Sequence, residues 1–341
     1  MNSNRRNFIK KSTLGVGFIT AGLASSAVIV EKVNTQNKEL EDTDSSQSGQ
    51  GADNNIIPHC QLFQAGEIQM IIGDASRNGH GGKQYCGIWS LTSRDRLFNA
   101  FGNSFAGLLP GEQRGATPFL KSLSDTSCEL VLQRDGQSAP SSRAIYEIKA
   151  PYYVDHTLIF TDTRDHRRTN YKWREVSWCN YMNCPEESSL HFLSNGKWIT
   201  YISPKHGVGS SIAPSYLSDD KLEIWPDKSE KRPFHWDRAH VRFDEPFYYG
   251  RLGNMVLIFI FDKPQWLRFF CSPTGGNASL IPGKDCPAWD FLWAIPDSDY
   301  EPNKEYSLRV RIVYKSYVSD DDVLVEVRKT QKELGFETVK H

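Results

Sequence analysis

His240 and Arg242 stand two residues apart in His240-Val241-Arg242-Phe243, with apolar residues filling the alternate positions. Side chains two apart on an extended strand share a face. An imidazole therefore sits beside a guanidinium, with Val241 and Phe243 turned the other way. Imidazole titrates near neutral pH and suits proton transfer. A guanidinium grips a carboxylate or sulfate through a planar fork. The same parity joins Tyr249 to Arg251 in Phe247-Tyr248-Tyr249-Gly250-Arg251. A Tyr beside Arg and His can serve as acid and base in β-elimination from a uronate, with Arg stabilising the enolate-like charge. An edge strand carrying ordinary rings is the plain alternative.

A second concentration runs from Arg143 to Tyr181. His156 opens a strand-like run there and adds another candidate acid or base, against the alternative of a structural histidine. Asp155 precedes it, but adjacent strand residues face opposite sides, so Asp155 is not its natural partner. Arg164 begins the turn Arg164-Asp165-His166-Arg167-Arg168, whose guanidiniums suit a uronate or a sulfated sugar. A solvated loop partly neutralised by Asp165 reads equally well. Trp178 and Asn180 offer a ring for a sugar's C–H face and an amide for its hydroxyls. Tyr171 and Trp173 share one face and Trp178 takes the other, so at most half of these rings can face a site. Upstream, Arg77 and His80 lie in the glycine-rich loop Arg77-Asn78-Gly79-His80-Gly81-Gly82. That loop can approach a ligand closely, or be an exposed hairpin connection. It lacks the Lys-Ser/Thr ending of a phosphate loop. Trp89 is a further candidate for substrate stacking.

Other chemistries are excluded by absence or by spacing. There is no Gly-x-Ser-x-Gly elbow, no dinucleotide fingerprint and no His-Glu-x-x-His. His235 and His240 are five apart and face opposite sides of a strand, so no metal site is expected, and no cofactor either. His206 is another loop histidine, in Pro204-Lys205-His206-Gly207. Asp155, Asp162, Glu175, Glu187, Asp244 and Glu245 are available as an acid pair, and nothing in the sequence selects two of them. A formal charge of −1 over 341 residues removes a nucleic-acid partner, which needs a basic excess.

The elements that must hold these groups are strands. From residue 56 the pattern is mostly period two, with candidate strands at 62–72, 85–91, 129–134, 144–150, 156–163, 171–178, 189–193, 197–202, 221–225, 240–243, 255–261, 267–271, 289–295 and 306–314. Turn signals such as Asp135-Gly136, Asn195-Gly196 and Gly253-Asn254 separate them. Ser319 or Asp320 caps one helix over 321–334, and Gly335 stops it. This predicts an all-β fold: a large antiparallel β-sandwich, supersandwich or jelly-roll-like, with a short C-terminal helix and a single domain over 56–341.

Residues 1–30 read as a targeting segment. Arg5-Arg6-Asn7-Phe8-Ile9-Lys10 before an apolar run from Leu14 to Val30 resembles a twin-arginine signal, with Asn4 in place of the usual Ser/Thr. The run is short and glycine-bearing, which argues for a processed signal over a permanent membrane span. An uncleaved anchor is the alternative. The resemblance implies the twin-arginine export machinery as a partner and a periplasmic or secreted location. Residues 31–55 are polar and read as a disordered linker. An oxidising destination permits disulfides among the seven cysteines. Cys179 and Cys184 are close enough in sequence to pair across a turn.

Several short stretches carry a family resemblance: Tyr85-Cys86-Gly87-Ile88-Trp89-Ser90-Leu91, Ala150-Pro151-Tyr152-Tyr153-Val154-Asp155, Pro287-Ala288-Trp289-Asp290-Phe291 and Val313-Tyr314-Lys315. In their order they resemble twin-arginine-exported β-sandwich proteins of polysaccharide-degrading bacteria, galactose-mutarotase-like in style. Many sugar isomerases, lyases and hydrolase modules are built on that fold. The expectation is an exported carbohydrate-active enzyme, lyase or hydrolase, on an acidic glycan containing uronate or sulfate. His156, Tyr249, His240 and His80 would be its acid–base groups. Arg77, Trp89, Arg164, Trp178, Asn180, Arg242 and Arg251 would bind substrate. The alternatives are a non-catalytic carbohydrate-binding protein and a structural protein of the cell envelope.

Overall fold

A computed structural model describes residues 59–74, 85–110, 118–133, 140–163, 173–222, 237–274 and 286–338. The expected signal, linker, His80, Arg77 and Arg164 lie outside these residues. In chain order the strands are β1 (Cys60–Ala65), β2 (Ile68–Gly73), β3 (Gly87–Ser93), β4 (Phe101–Pro110), β5 (Phe119–Ser124), β6 (Ser127–Leu132), β7 (Ser141–Lys149), β8 (Tyr153–Thr161) and β9 (Trp173–Met182). They continue as β10 (Leu190–Ser194), β11 (Lys197–Tyr201) and β12 (Ser211–Pro214), then a one-turn helix α1 (Asp219–Leu222). The rest are β13 (Arg238–Phe243), β14 (Phe247–Leu252), β15 (Met255–Phe261), β16 (Leu267–Ser272), β17 (Ala288–Pro296), β18 (Glu305–Ser316) and the helix α2 (Asp320–Leu334).

A nine-stranded sheet, ordered β11-β10-β14-β15-β18-β8-β7-β6-β5, packs on a six-stranded sheet ordered β13-β12-β16-β17-β9-β4. A three-stranded sheet, β1-β2-β3, stands beside them. Pairing is antiparallel except for β12 with β13. The fold is an all-β sandwich of large antiparallel sheets with a short C-terminal helix, as the alternation predicts. Rings close the core between the layers: Phe261 meets Phe291 edge-on at 4.7 Å, and Tyr248 meets Phe269 at 4.9 Å.

β15 is buried along its whole length because both of its faces are covered. Met255, Leu257, Phe259 and Phe261 enter the sandwich. Val256, Ile258 and Ile260 meet Val323 and Val327 of α2 on the opposite side. Helix α2 is capped by Ser319, whose Oγ accepts from the Asp322 N–H at 3.2 Å. Asp320, Asp321 and Asp322 occupy its first turn, where the helix dipole favours acids. Gly335 ends it in the left-handed region at φ 62°. Among the described residues, no helix is long and apolar enough to cross a membrane.

Several expectations need correction. The run expected as one strand over 62–72 is a hairpin, β1 with β2. Gly66 turns it at φ 56°, and a Cβ there would lie 2.4 Å from the Pro151 carbonyl oxygen. Apolar alternation continues through the turn, so the pattern hides it. The segment expected as a strand at 221–225 begins inside α1 instead. β4, β5 and β12 were missing from the pattern; β5 is an edge strand with Leu120 as its buried residue, so little alternation is imposed on it.

Candidate functional site

β13 lies at the edge of the six-stranded sheet. Ala239, Val241 and Phe243 pack toward the core. Arg238, His240 and Arg242 therefore occupy the outer face. A cleft of about 410 Å³ opens there, lined by Ala213, Asp219, Asp237, Arg238, Ala239, His240 and Arg242. Arg242 donates from Nη1 to the Leu217 carbonyl at 2.9 Å and from Nη2 to Asp219 Oδ1. Arg238 donates to that same oxygen at 3.1 Å. Two guanidiniums thus converge on one carboxylate, with His240 between them on the strand. The His240 ring meets Tyr201 edge-on at 5.5 Å. The Gly209 N–H donates to Asp237 Oδ2 at 2.8 Å, which orients that carboxylate at the rim.

The same outer face continues across β16 and β17. Leu267, Phe269 and Cys271 point inward, leaving Arg268, Phe270 and Ser272 outward. Phe270 stands opposite Asp290 in the register. Arg268 is buried and donates to the Leu222 carbonyl at 3.2 Å, which ties β16 to α1. Asp290 accepts the Asn180 backbone N–H at 2.7 Å. His206 places Nδ1 3.0 Å from Ser272 Oγ.

His240 and Arg242 are therefore together, as their spacing predicts. Among the described residues, the other expected site residues do not join them. His156 is buried in the sandwich, stacked on Tyr146 at 4.4 Å and edge-on to Trp178 at 5.2 Å. Its Nδ1 lies 2.9 Å from the Ile145 carbonyl. Burial depresses its pKa from 6.5 to about 3, so the ring is neutral and Nδ1 donates to that carbonyl. Trp178 and Asn180 are fully buried, and Asn180 Nδ2 donates to the Trp289 carbonyl at 2.7 Å. Their face of β9 is the core face, so neither is open to a sugar. Trp89 donates from Nε1 to the Tyr85 carbonyl at 2.7 Å and packs against Gly73, where a Cβ would lie 2.2 Å from the indole.

Tyr249 and Arg251 share a face, but it is the side of the nine-stranded sheet that meets α2. Tyr249 donates to Asp320 Oδ1 at 2.5 Å and stacks on His191 at 4.5 Å. The Arg251 guanidinium lies 4.1 Å from the Tyr317 ring centre. Burial, then the bond to Asp320, push the Tyr249 phenol far above its ordinary range, so it acts as a donor and not as a base. Burial lowers the pKa of His191, against the opposing pull of Glu187. Asp155 is also spoken for. Burial raises its pKa, but the Arg311 fork at 2.6 and 2.8 Å and Lys149 at 3.0 Å hold it below the usual carboxylate range.

Arg238, Asp219, Asp237 and Arg268 were not singled out by sequence reasoning. Arg238 had a signal, since the parity of 240 and 242 extends back to 238. Arg268 had a weaker one, as the lone charge in Leu267-Arg268-Phe269-Phe270-Cys271. Asp219 had none, because the chain returns to the cleft from another segment. Among the described residues, no group of three or more His, Cys, Asp or Glu is placed to hold a metal ion.

No family model matches the chain, and no curated protein sequence matches it. Several solved structures align with it. A protein of Escherichia coli K12 named for aldose 1-epimerase aligns with a TM-score of 0.45 at 10% identity, over 76% of this chain and 99% of that one. The GalM/aldose epimerase homologue of C. elegans aligns at 0.41 and 6% identity, over 76% and 100%. A protein of Salmonella typhimurium named for mutarotase aligns at 0.39 and 9% identity, over 75% and 90%. The neighbours are thus named for aldose epimerases and mutarotases.

Proposed function

We propose that the protein is an exported carbohydrate-active protein that binds an acidic sugar in the cleft of Arg238, His240 and Arg242. The observation that carries this is the convergence of two guanidiniums on the single Asp219 carboxylate. Groups that hold one carboxylate in that geometry suit the carboxylate of a uronate or the sulfate of a sulfated sugar. His240 is the acid–base group on this reading. In a lyase step the paired arginines neutralise the uronate carboxylate, which acidifies the hydrogen on the adjacent carbon. His240 removes that proton, the electron pair forms the carbon–carbon double bond, and the neighbouring glycosidic oxygen departs as a hydroxyl, taking its proton from the His240 imidazolium or from water. Export by the twin-arginine route is part of the proposal and rests on the N-terminal pattern.

Incubation with uronate oligosaccharides tests it. A lyase raises ultraviolet absorbance through its conjugated product. A hydrolase yields reducing ends without that absorbance. Arg242→Ala should abolish binding, and His240→Ala should retain binding while losing turnover. If neither uronate nor sulfated saccharides bind at any concentration reached, the proposal fails.

A non-catalytic binding role is the second reading. The burial of His156 and Tyr249 favours it, because it leaves His240 as the cleft's own imidazole. Saturable binding without product formation would establish it.

A further inference from the structure

We propose that Cys184 and Cys286 form a disulfide under oxidising conditions, with Cys184 as the attacking thiol and Cys286 as the resolving one. Their sulfurs lie 3.9 Å apart although 102 residues separate them in sequence. The frame around them is fixed from both sides. Just before Cys184, the Met182 N–H donates to the Pro287 carbonyl at 2.8 Å. Tyr181 pairs with Ala288 in the β9–β17 ladder. The Asn183 N–H donates to the Ala100 carbonyl and its Nδ2 to the Asn99 carbonyl, both at 3.0 Å. Cys184 itself is held at φ 46°, in the left-handed region that a non-glycine residue occupies only when its surroundings impose it. Closing to a bond of about 2.05 Å needs a side-chain movement of roughly 2 Å, within reach of χ1 rotation.

The order of events follows from exposure. Cys184 is half-buried and Cys286 fully buried, so a small oxidant reaches Cys184 first. With a small-molecule disulfide as oxidant, the Cys184 thiolate attacks one of its sulfurs and releases one small thiol. The Cys286 thiolate then attacks the Cys184 sulfur and displaces the second small thiol. Two protein thiols are oxidised, one small disulfide is reduced, and the two protons leave on the small thiols. Cys86, Cys128 and Cys271 do not compete, being buried with thiol pKa values pushed up to about 12. The bond would tie the end of β9 to the start of β17. It replaces the Cys179–Cys184 pairing that spacing suggests, and it is independent of the saccharide reading.

The test uses the full chain, reduced and then treated with oxidised glutathione. Remaining thiols are alkylated, and peptides are mapped without reduction. The expected result is a Cys184–Cys286 cross-linked peptide, with a melting temperature several degrees above that of the reduced protein. Cys286→Ser should trap a glutathione adduct on Cys184, whereas Cys184→Ser should leave Cys286 unmodified. Alkylation of both thiols after oxidation, or a Cys179–Cys184 link, overturns the proposal. The mapping of the unsubstituted chain decides it even if a variant folds poorly.

Discussion

Replacing His156 with Gln should flatten the acid limb of the stability curve. The imidazole is sealed between Tyr146 and Trp178, and burial takes its pKa from 6.5 to about 3. The unfolded chain binds a proton near 6.5 while the folded chain does not. His156 therefore leaves stability intact above pH 6.5 and removes it as pH falls toward 3. Each pH unit in that window removes about 1.4 kcal/mol, so about 3 kcal/mol is lost between pH 7.5 and pH 4.5 through this group. His156→Gln keeps a donor for the Ile145 carbonyl and never takes up a proton in this range. Urea unfolding of both proteins at the two pH values gives the comparison. The packing cost of the substitution is present at both and cancels in the difference. The other titrating groups are common to both proteins. The original chain should lose about 3 kcal/mol more than the variant on acidification. If the two lose the same amount within about 0.5 kcal/mol, the burial argument is wrong. An NMR titration placing the folded His156 pKa near its ordinary value would refute it equally.

Asp219→Ala should tighten the binding of acidic saccharides, because it removes the internal carboxylate that holds Arg238 and Arg242; calorimetric titration of the two proteins checks it. Ser319→Ala removes the acceptor of the Asp322 N–H and should cost about 1 kcal/mol in urea unfolding. Gly250→Ala should prevent stable folding or cost several kcal/mol (roughly 3 or more), read by thermal melts. Its Cβ would sit 2.3 Å from the Trp289 ring, and the Trp289 Nε1 bond to the Ser188 carbonyl at 2.8 Å holds that ring in place.

The sequence by itself determined most of the strands, their alternation and the helix stop at Gly335, because these depend on neighbours a few residues away. It also determined that His240 and Arg242 share a face, since parity is a local property of extended backbone. Parity says which side chains travel together, not whether another layer covers them. Tyr249 and Arg251 travel together, yet Asp320, 71 residues away, arrives with α2 to close over Tyr249. His156 alternates like an exposed strand residue, but the face it occupies meets Trp178 of the second sheet. Asp219 enters the cleft by a chain reversal that no period records. Those outcomes belong to the tertiary structure, because burial is decided by surfaces that meet only when segments distant in sequence pack together.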